Sequence, residues 1–150
     1  MSVDQETIER NIAAMRRLIE EGFTRGNADV CDELVSPDAV EHQRGLKDGI
    51  DGAKETIRTL HEWFSDFELR IDELVAQGDQ VWIRATGRGI NTGSVFGRPP
   101  TGRRLEITVF DQARFRDGRL VEHWGVPDQL GLLMQLGLFG PPEPAASSSI

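Results

Sequence analysis

The stretch RLEITVFDQARFRDGRLVEHWGVPDQLG, Arg104 to Gly131, decides the fold. From 104 to 116, residues alternate with the two-residue period of a strand. Leu105, Ile107, Val109, Asp111, Ala113 and Phe115 share one face, which is apolar apart from Asp111. Glu106, Thr108, Phe110, Gln112, Arg114 and Arg116 make up the other, polar face. Asp117-Gly118 is a hairpin dipeptide, so RLVEHWGV is expected to run back antiparallel. Alternation along that second strand puts Leu120, Glu122, Trp124 and Val126 on one face and Val121 and His123 on the other. Trp124 and Glu122 are thus expected to look inward, and His123 outward. Pro127 ends the strand, and DQLGLLMQLG starts a helix for which Asp128 is a natural N-cap. Asp111 stands out as an acid in an apolar row. It reads either as a structural carboxylate paired with an arginine or as a site residue.

Upstream, two further strands precede this hairpin. FELRIDELVAQ alternates Phe67, Leu69 and Ile71 with charged residues, and QVWIRATGRGI follows after Gly78-Asp79. The glycine- and proline-rich NTGSVFGRPPTGRR is a long loop. Before the strands come three helical segments. Ile8, Ile12, Met15, Leu18 and Ile19 recur at spacings of three and four, predicting a helix over 5–22 with Asp4 as N-cap and Gly22 as stop. A short helix spans 28–34, with Pro37 closing it, and DAVEHQ is a short β-prone run. A third helix runs from Asp51 or Gly52 to Phe64. Helices set apart from an antiparallel sheet make an α+β fold. A strongly bent antiparallel sheet wrapped around three N-terminal helices, plus a C-terminal helix, gives a cone-shaped barrel with an open mouth. That domain is expected over 1–138, with 139–150 as a disordered tail rich in Pro, Ala and Ser.

The bulk numbers narrow the function. The net charge of -8, from 17 basic and 25 acidic residues, with no basic stripe, argues against nucleic acid or an anionic membrane as partner. No apolar run approaches the ~20 residues needed to span a bilayer, and the N-terminus has neither the basic start nor the apolar centre of a signal peptide. The cytoplasm is the default expectation. The single cysteine, Cys31, reads as a small buried apolar residue. No HxxxH or CxxC spacing offers a zinc site, no phosphate-binding loop is present, and no GxSxG elbow supports a serine hydrolase. Neither a zinc site nor a bound nucleotide is therefore expected. His61 reads as helix packing and Trp82 as core. Trp63 and Phe96 are candidate pocket lining, and His42 lies near the short strand.

The pieces GxPPTG, DxxRxxDGR, EHW and QLG between Gly97 and Gly137 resemble the SnoaL-like polyketide (ester) cyclase family, within the nuclear transport factor 2-like superfamily of α+β cone folds. TRGNADVCDELVSPDAVEH resembles the entry segment of the same superfamily. The resemblance covers about residues 5–138. It implies a cofactor-independent intramolecular aldol condensation on a polyketide-type substrate, with Asp128 at the position of the general acid/base and His42 lining the pocket. Some members carry a histidine where Arg114 stands here. The catalytic candidates are Asp128, His42 and Asp111, and the substrate-binding candidates are Trp63, Phe96, Arg114, Glu122 and Trp124. A small hydrophobic polyketide-like substrate and a homo-oligomer, dimer or tetramer, are the expected partners. One carboxylate beside an apolar wall could take a proton from a carbon between carbonyls and return it to the new alkoxide. The chain holds no tyrosine, which argues against isomerase and dehydratase sites built on that hydroxyl. An epoxide-opening cyclase or hydrolase using Asp111 and Asp128, a pericyclase, and a non-catalytic binding module on the same fold stay open.

Overall fold

A computed structural model describes residues 4–139 of the chain. Helix α1, Gln5–Arg17, opens on Asp4, whose carboxylate accepts the Thr7 backbone N–H at 2.8 Å. The helix does not stop at Gly22 but widens into a π-helical turn, Leu18–Thr24. Gly22 is a packing point there: a Cβ on it would lie 3.2 Å from Ile57. Helix α2 is Val30–Leu34, and strand β1, Val35–Glu41, follows directly. Pro37 lies inside β1 rather than ending α2, and an edge strand tolerates its missing N–H. Helix α3, Gly49–Trp63, leads into the long strands β2 (Phe64–Gln77) and β3 (Gln80–Asn91). Strands β4 (Arg104–Arg116) and β5 (Arg119–Pro127) form the expected hairpin, and α4, Gln129–Gln135, closes the fold.

The five strands form one curved, unclosed sheet in the order β1-β5-β4-β3-β2. β2 to β5 are antiparallel, but β1 joins β5 in parallel, so the sheet is mixed rather than wholly antiparallel. The helices pack on its concave face. Between the two layers lies a core in which Ile57, Val81, Ala85, Ala113 and Cys31 have no exposed surface. Cys31 is the buried small residue its sequence context predicts, and burial pushes its thiol up to about 11. Trp82, in contrast, is not core; it stands on the outer sheet face with half its surface exposed. A second, smaller cluster of Phe64, Val95, Leu105 and Leu136 ties α4 and the 92–103 loop to the sheet. The tail expected over 139–150 lies, apart from Phe139, outside the described residues.

One irregularity decides which side chains face inward. In the β4–β5 hairpin, Phe115 pairs with Leu120 but Arg114 pairs with Glu122, so Val121 is an extra residue, a β-bulge. Leu120 faces the core, and beyond the bulge the alternation is inverted. His123, Gly125 and Pro127 face the concave side, whereas Glu122, Trp124 and Val126 face out.

Candidate active site

The concave face encloses a cavity of about 680 Å³. Its walls are largely apolar. The π-helical turn contributes Leu18, Ile19 and Phe23, and α3 contributes Leu60 and Trp63. Strands β4 and β5 supply Leu105, Ile107, Val109 and Leu120. The turn is held by His61, whose ring Nε2–H donates to the Phe23 carbonyl at 2.6 Å while its edge meets Phe67. His61 is thus a structural residue outside the cavity lining.

At one end of this apolar space three titratable groups form a chain. His123 Nδ1 is 2.8 Å from both carboxylate oxygens of Glu41, and its Nε2 is 3.0 Å from Asp111 Oδ1. All three side chains are largely buried, and all three line the cavity. Burial by itself would lower the His123 pKa. The hydrogen bonds to Asp111 and Glu41, backed by the charge of both carboxylates, outweigh it and raise the pKa to about 9. At neutral pH His123 is therefore an imidazolium donating from both nitrogens. Asp111 spends Oδ1 on that bond, and among the described residues no hydrogen bond engages its Oδ2.

Two copies of the tripeptide Val-Glu-His build this arrangement, Val40-Glu41-His42 at the end of β1 and Val121-Glu122-His123 on β5. The parallel register sets Val40 opposite Glu122 and Glu41 opposite His123, an offset of one residue. Each glutamate therefore meets the other copy's histidine. Glu41 and His123 meet inside the cone. His42 and Glu122 meet outside it at 3.6 Å, where His42 also stacks on Trp124 with ring centroids 4.3 Å apart.

The expected site residues divide accordingly. Asp111, Trp63 and Phe96 line the cavity. Phe96 packs edge-to-face on Trp63 at 5.2 Å and adopts a left-handed φ of 51° in the 92–103 loop. That loop is anchored by the buried Asn91, whose side chain bonds Trp63 O, Gly93 O and Thr101. His42, Glu122, Trp124 and Arg114 are on the outer face, correcting the expectation that they look into the pocket. Arg114 is held by Asp79 at 2.7 Å and lies 3.7 Å from Glu122. Asp128 is exposed at the start of α4, and its carboxylate accepts the Gly131 N–H at 2.9 Å. It is a helix cap outside the cavity lining, so the geometry gives it neither the acid/base position nor a pairing with Asp111. His123 and Glu41 were missed because an inward His123 needs the Val121 bulge, which simple alternation cannot show. The repeated Val-Glu-His was the available signal.

Fold and site together define a class: an open α+β cone whose largely apolar cavity ends in a buried carboxylate–imidazolium–carboxylate chain. The sequence model of the SnoaL-like polyketide cyclases matches residues 13–136, and the chain belongs to that family of enzymes. It is 31% identical over 132 residues to the aklanonic acid methyl ester cyclase of Streptomyces peucetius, covering 84% of this chain and 90% of that one. With the nogalonic acid methyl ester cyclase of Streptomyces nogalater it shares 31% identity over 121 residues, 77% of this chain and 89% of the other. Among solved structures, TsrD from Streptomyces laurentii superposes with a TM-score of 0.78 at 27% identity, covering 91% of this chain and 99% of TsrD. Among the described residues no helix is long and apolar enough to cross a membrane.

Proposed function

We propose that this polyketide cyclase closes a ring by an intramolecular aldol reaction, with Asp111 as the acid/base and no cofactor. The observation that supports this reading is the Glu41–His123–Asp111 chain at the end of an apolar cavity. An imidazolium is no base, so proton removal falls to the carboxylate with an open oxygen, Asp111 Oδ2. Asp111 takes a proton from a carbon flanked by carbonyls, and the resulting enolate carbon attacks a second carbonyl within the same molecule. One C–C bond forms, the attacked C=O becomes an alkoxide, and Asp111 returns its proton there. The pair freed by the departing proton is held by the conjugated carbonyls until it forms the C–C bond, and the π pair of the attacked carbonyl takes up the returned proton, so protons and electrons balance. His123, clamped by Glu41, fixes the direction of the Asp111 carboxylate and offsets its charge. The apolar walls hold the chain in a folded pose close to reaction. The substrates fitting this reading are polyketide esters of the kind named for the curated relatives.

The test uses aklanonic acid methyl ester and nogalonic acid methyl ester as probes. Asp111→Asn should lower kcat by about 10²-fold or more in protein that circular dichroism shows to be folded, with a lower melting temperature from the lost partner of His123. Turnover within about threefold of wild type would reject Asp111 as the acid/base.

We also propose self-association through the outer sheet face, where Trp82, Phe110 and Val126 are exposed on neighbouring strands. Large apolar side chains exposed on neighbouring strands of one face support an interaction surface there. Sedimentation of the wild type against Phe110→Glu is the measurement; a monomer in both would dismiss it.

A further inference from the structure

Gly125 lies on the inverted part of β5, directly opposite Asp111. A methyl group built on it would overlap Gln43 Oε1 and come within 2.7 Å of Asp111 Oδ1 and 2.9 Å of His123 Cε1. The missing side chain thus leaves a notch beside the acid/base pair, and the Gln43 carboxamide fills it. Gln43 follows β1 and lines the cavity. Its backbone is anchored at both ends: its N–H donates to Glu41 Oε1 at 2.7 Å, and its C=O accepts from the Leu46 N–H at 3.2 Å. The carboxylate that clamps His123 therefore also positions Gln43. Yet among the described residues no hydrogen bond engages the Gln43 side chain. A half-buried amide beside two charged groups, with its N–H donors unspent, is the arrangement an incoming oxygen requires.

We propose that Gln43 is a further catalytic residue, whose carboxamide donates a hydrogen bond to the substrate oxygen that gains negative charge as Asp111 removes the proton. Gly125 is the residue that makes room for it. This rests on the aldol reading above and adds the group that receives the enolate charge. Such a donor matters most in the transition state, because the carbonyl oxygen becomes an oxyanion only as the proton leaves.

The experiment uses 2-naphthol, whose hydroxyl stands for the enol and whose fluorescence distinguishes naphthol from naphtholate. It is run on wild type, Gln43→Leu and Gln43→Glu, alongside turnover of aklanonic acid methyl ester. Wild type should bind the probe and lower its pKa. Gln43→Leu should bind the naphtholate about tenfold more weakly, raise the bound probe's pKa and lower kcat by about 10²-fold. Gln43→Glu should be worse than Gln43→Leu on each measure, because it sets a negative charge against the oxyanion. Melting temperatures should stay close to wild type, which separates these effects from a structural one. If wild type fails to bind the probe, the aldol reading falls along with the proposal, and this appears before any variant is made. If wild type binds it but all three proteins share one affinity, one probe pKa and one kcat, the role of Gln43 alone is overturned. Should Gln43→Leu fail to fold, Gln43→Asn, which keeps the amide but is one methylene shorter, should show the same losses in part; wild-type behaviour there also overturns it.

Discussion

The two Glu–His pairs on β1 and β5 are made of the same residues on the same two strands, yet they differ in kind. Inside the cone, Glu41 and His123 are 2.8 Å apart with 15% and 17% of their side chains exposed, and a second carboxylate completes the group. Outside, Glu122 and His42 are 3.6 Å apart with 31% and 37% exposed, and solvent screens them. The inner pair holds His123 protonated with a pKa of about 9. The outer pair is a rim contact on the sheet surface. The two pairs differ by face and not by residue type, and on β5 the inward place of His123 departs from simple alternation because of one extra residue, Val121.

The largest effect should come from the inner histidine. His123→Leu leaves two buried carboxylates facing each other without the cation between them, whereas His42→Leu removes only the rim contact. Activity should fall by more than about 10³-fold in His123→Leu and stay within about twofold in His42→Leu. Assay of the folded fraction, with circular dichroism to confirm the sheet, is the check, and retained turnover in His123→Leu would break the link between the inner pair and the reaction.

Next comes the clamp. The His123 pKa lies above its ordinary value of 6.5, so its contribution to stability is complete below about 6.5 and is lost as pH rises through about 9. Urea unfolding from pH 6 to pH 10 should show stability declining across that window. Glu41→Gln removes one of the two stabilising charges, so the decline should finish at lower pH. His42→Ala should leave the window unchanged, and a shift of equal size in both variants would erase the distinction between the faces.

Smaller effects should follow at the exposed positions. Glu122→Gln should cost about 0–1 kcal/mol and leave kcat within about twofold. Asp128→Ala should cost about 1 kcal/mol, the usual loss for an N-cap, with kcat within about threefold. A drop of about 10²-fold in Asp128→Ala would return the acid/base role to α4.

This comparison also shows where the sequence is readable. Strand β4 alternates without interruption opposite β5 as far as Arg114, so Asp111 announces itself as the lone acid in an apolar row. Trp63 and Phe96 declare themselves as large apolar residues next to a glycine-rich loop. His123 does not, because its orientation depends on a bulge that exists only in the pairing of two strands. Glu41 is hidden for a related reason: its partner lies 82 residues away across a parallel edge that local patterning cannot register. Asp128 was legible as a helix cap from its place after Pro127, and it is a cap. Its position after Trp124 and the family resemblance drew it towards the chemistry.

Strand β1 carries Glu41 and leads into Gln43, and it is the edge of the sheet, laddered on one side only and irregular between Val35 and Val40. Edge segments exchange their amide hydrogens through small local openings, well before the central strands do. The site's charge clamp therefore sits on the portion of the sheet that opens most cheaply. On warming, the Glu41–His123–Asp111 chain should come apart while the central strands β3 and β4 are still paired, so that inactivation precedes unfolding and the thermal limit of the enzyme is set by a few residues at its margin.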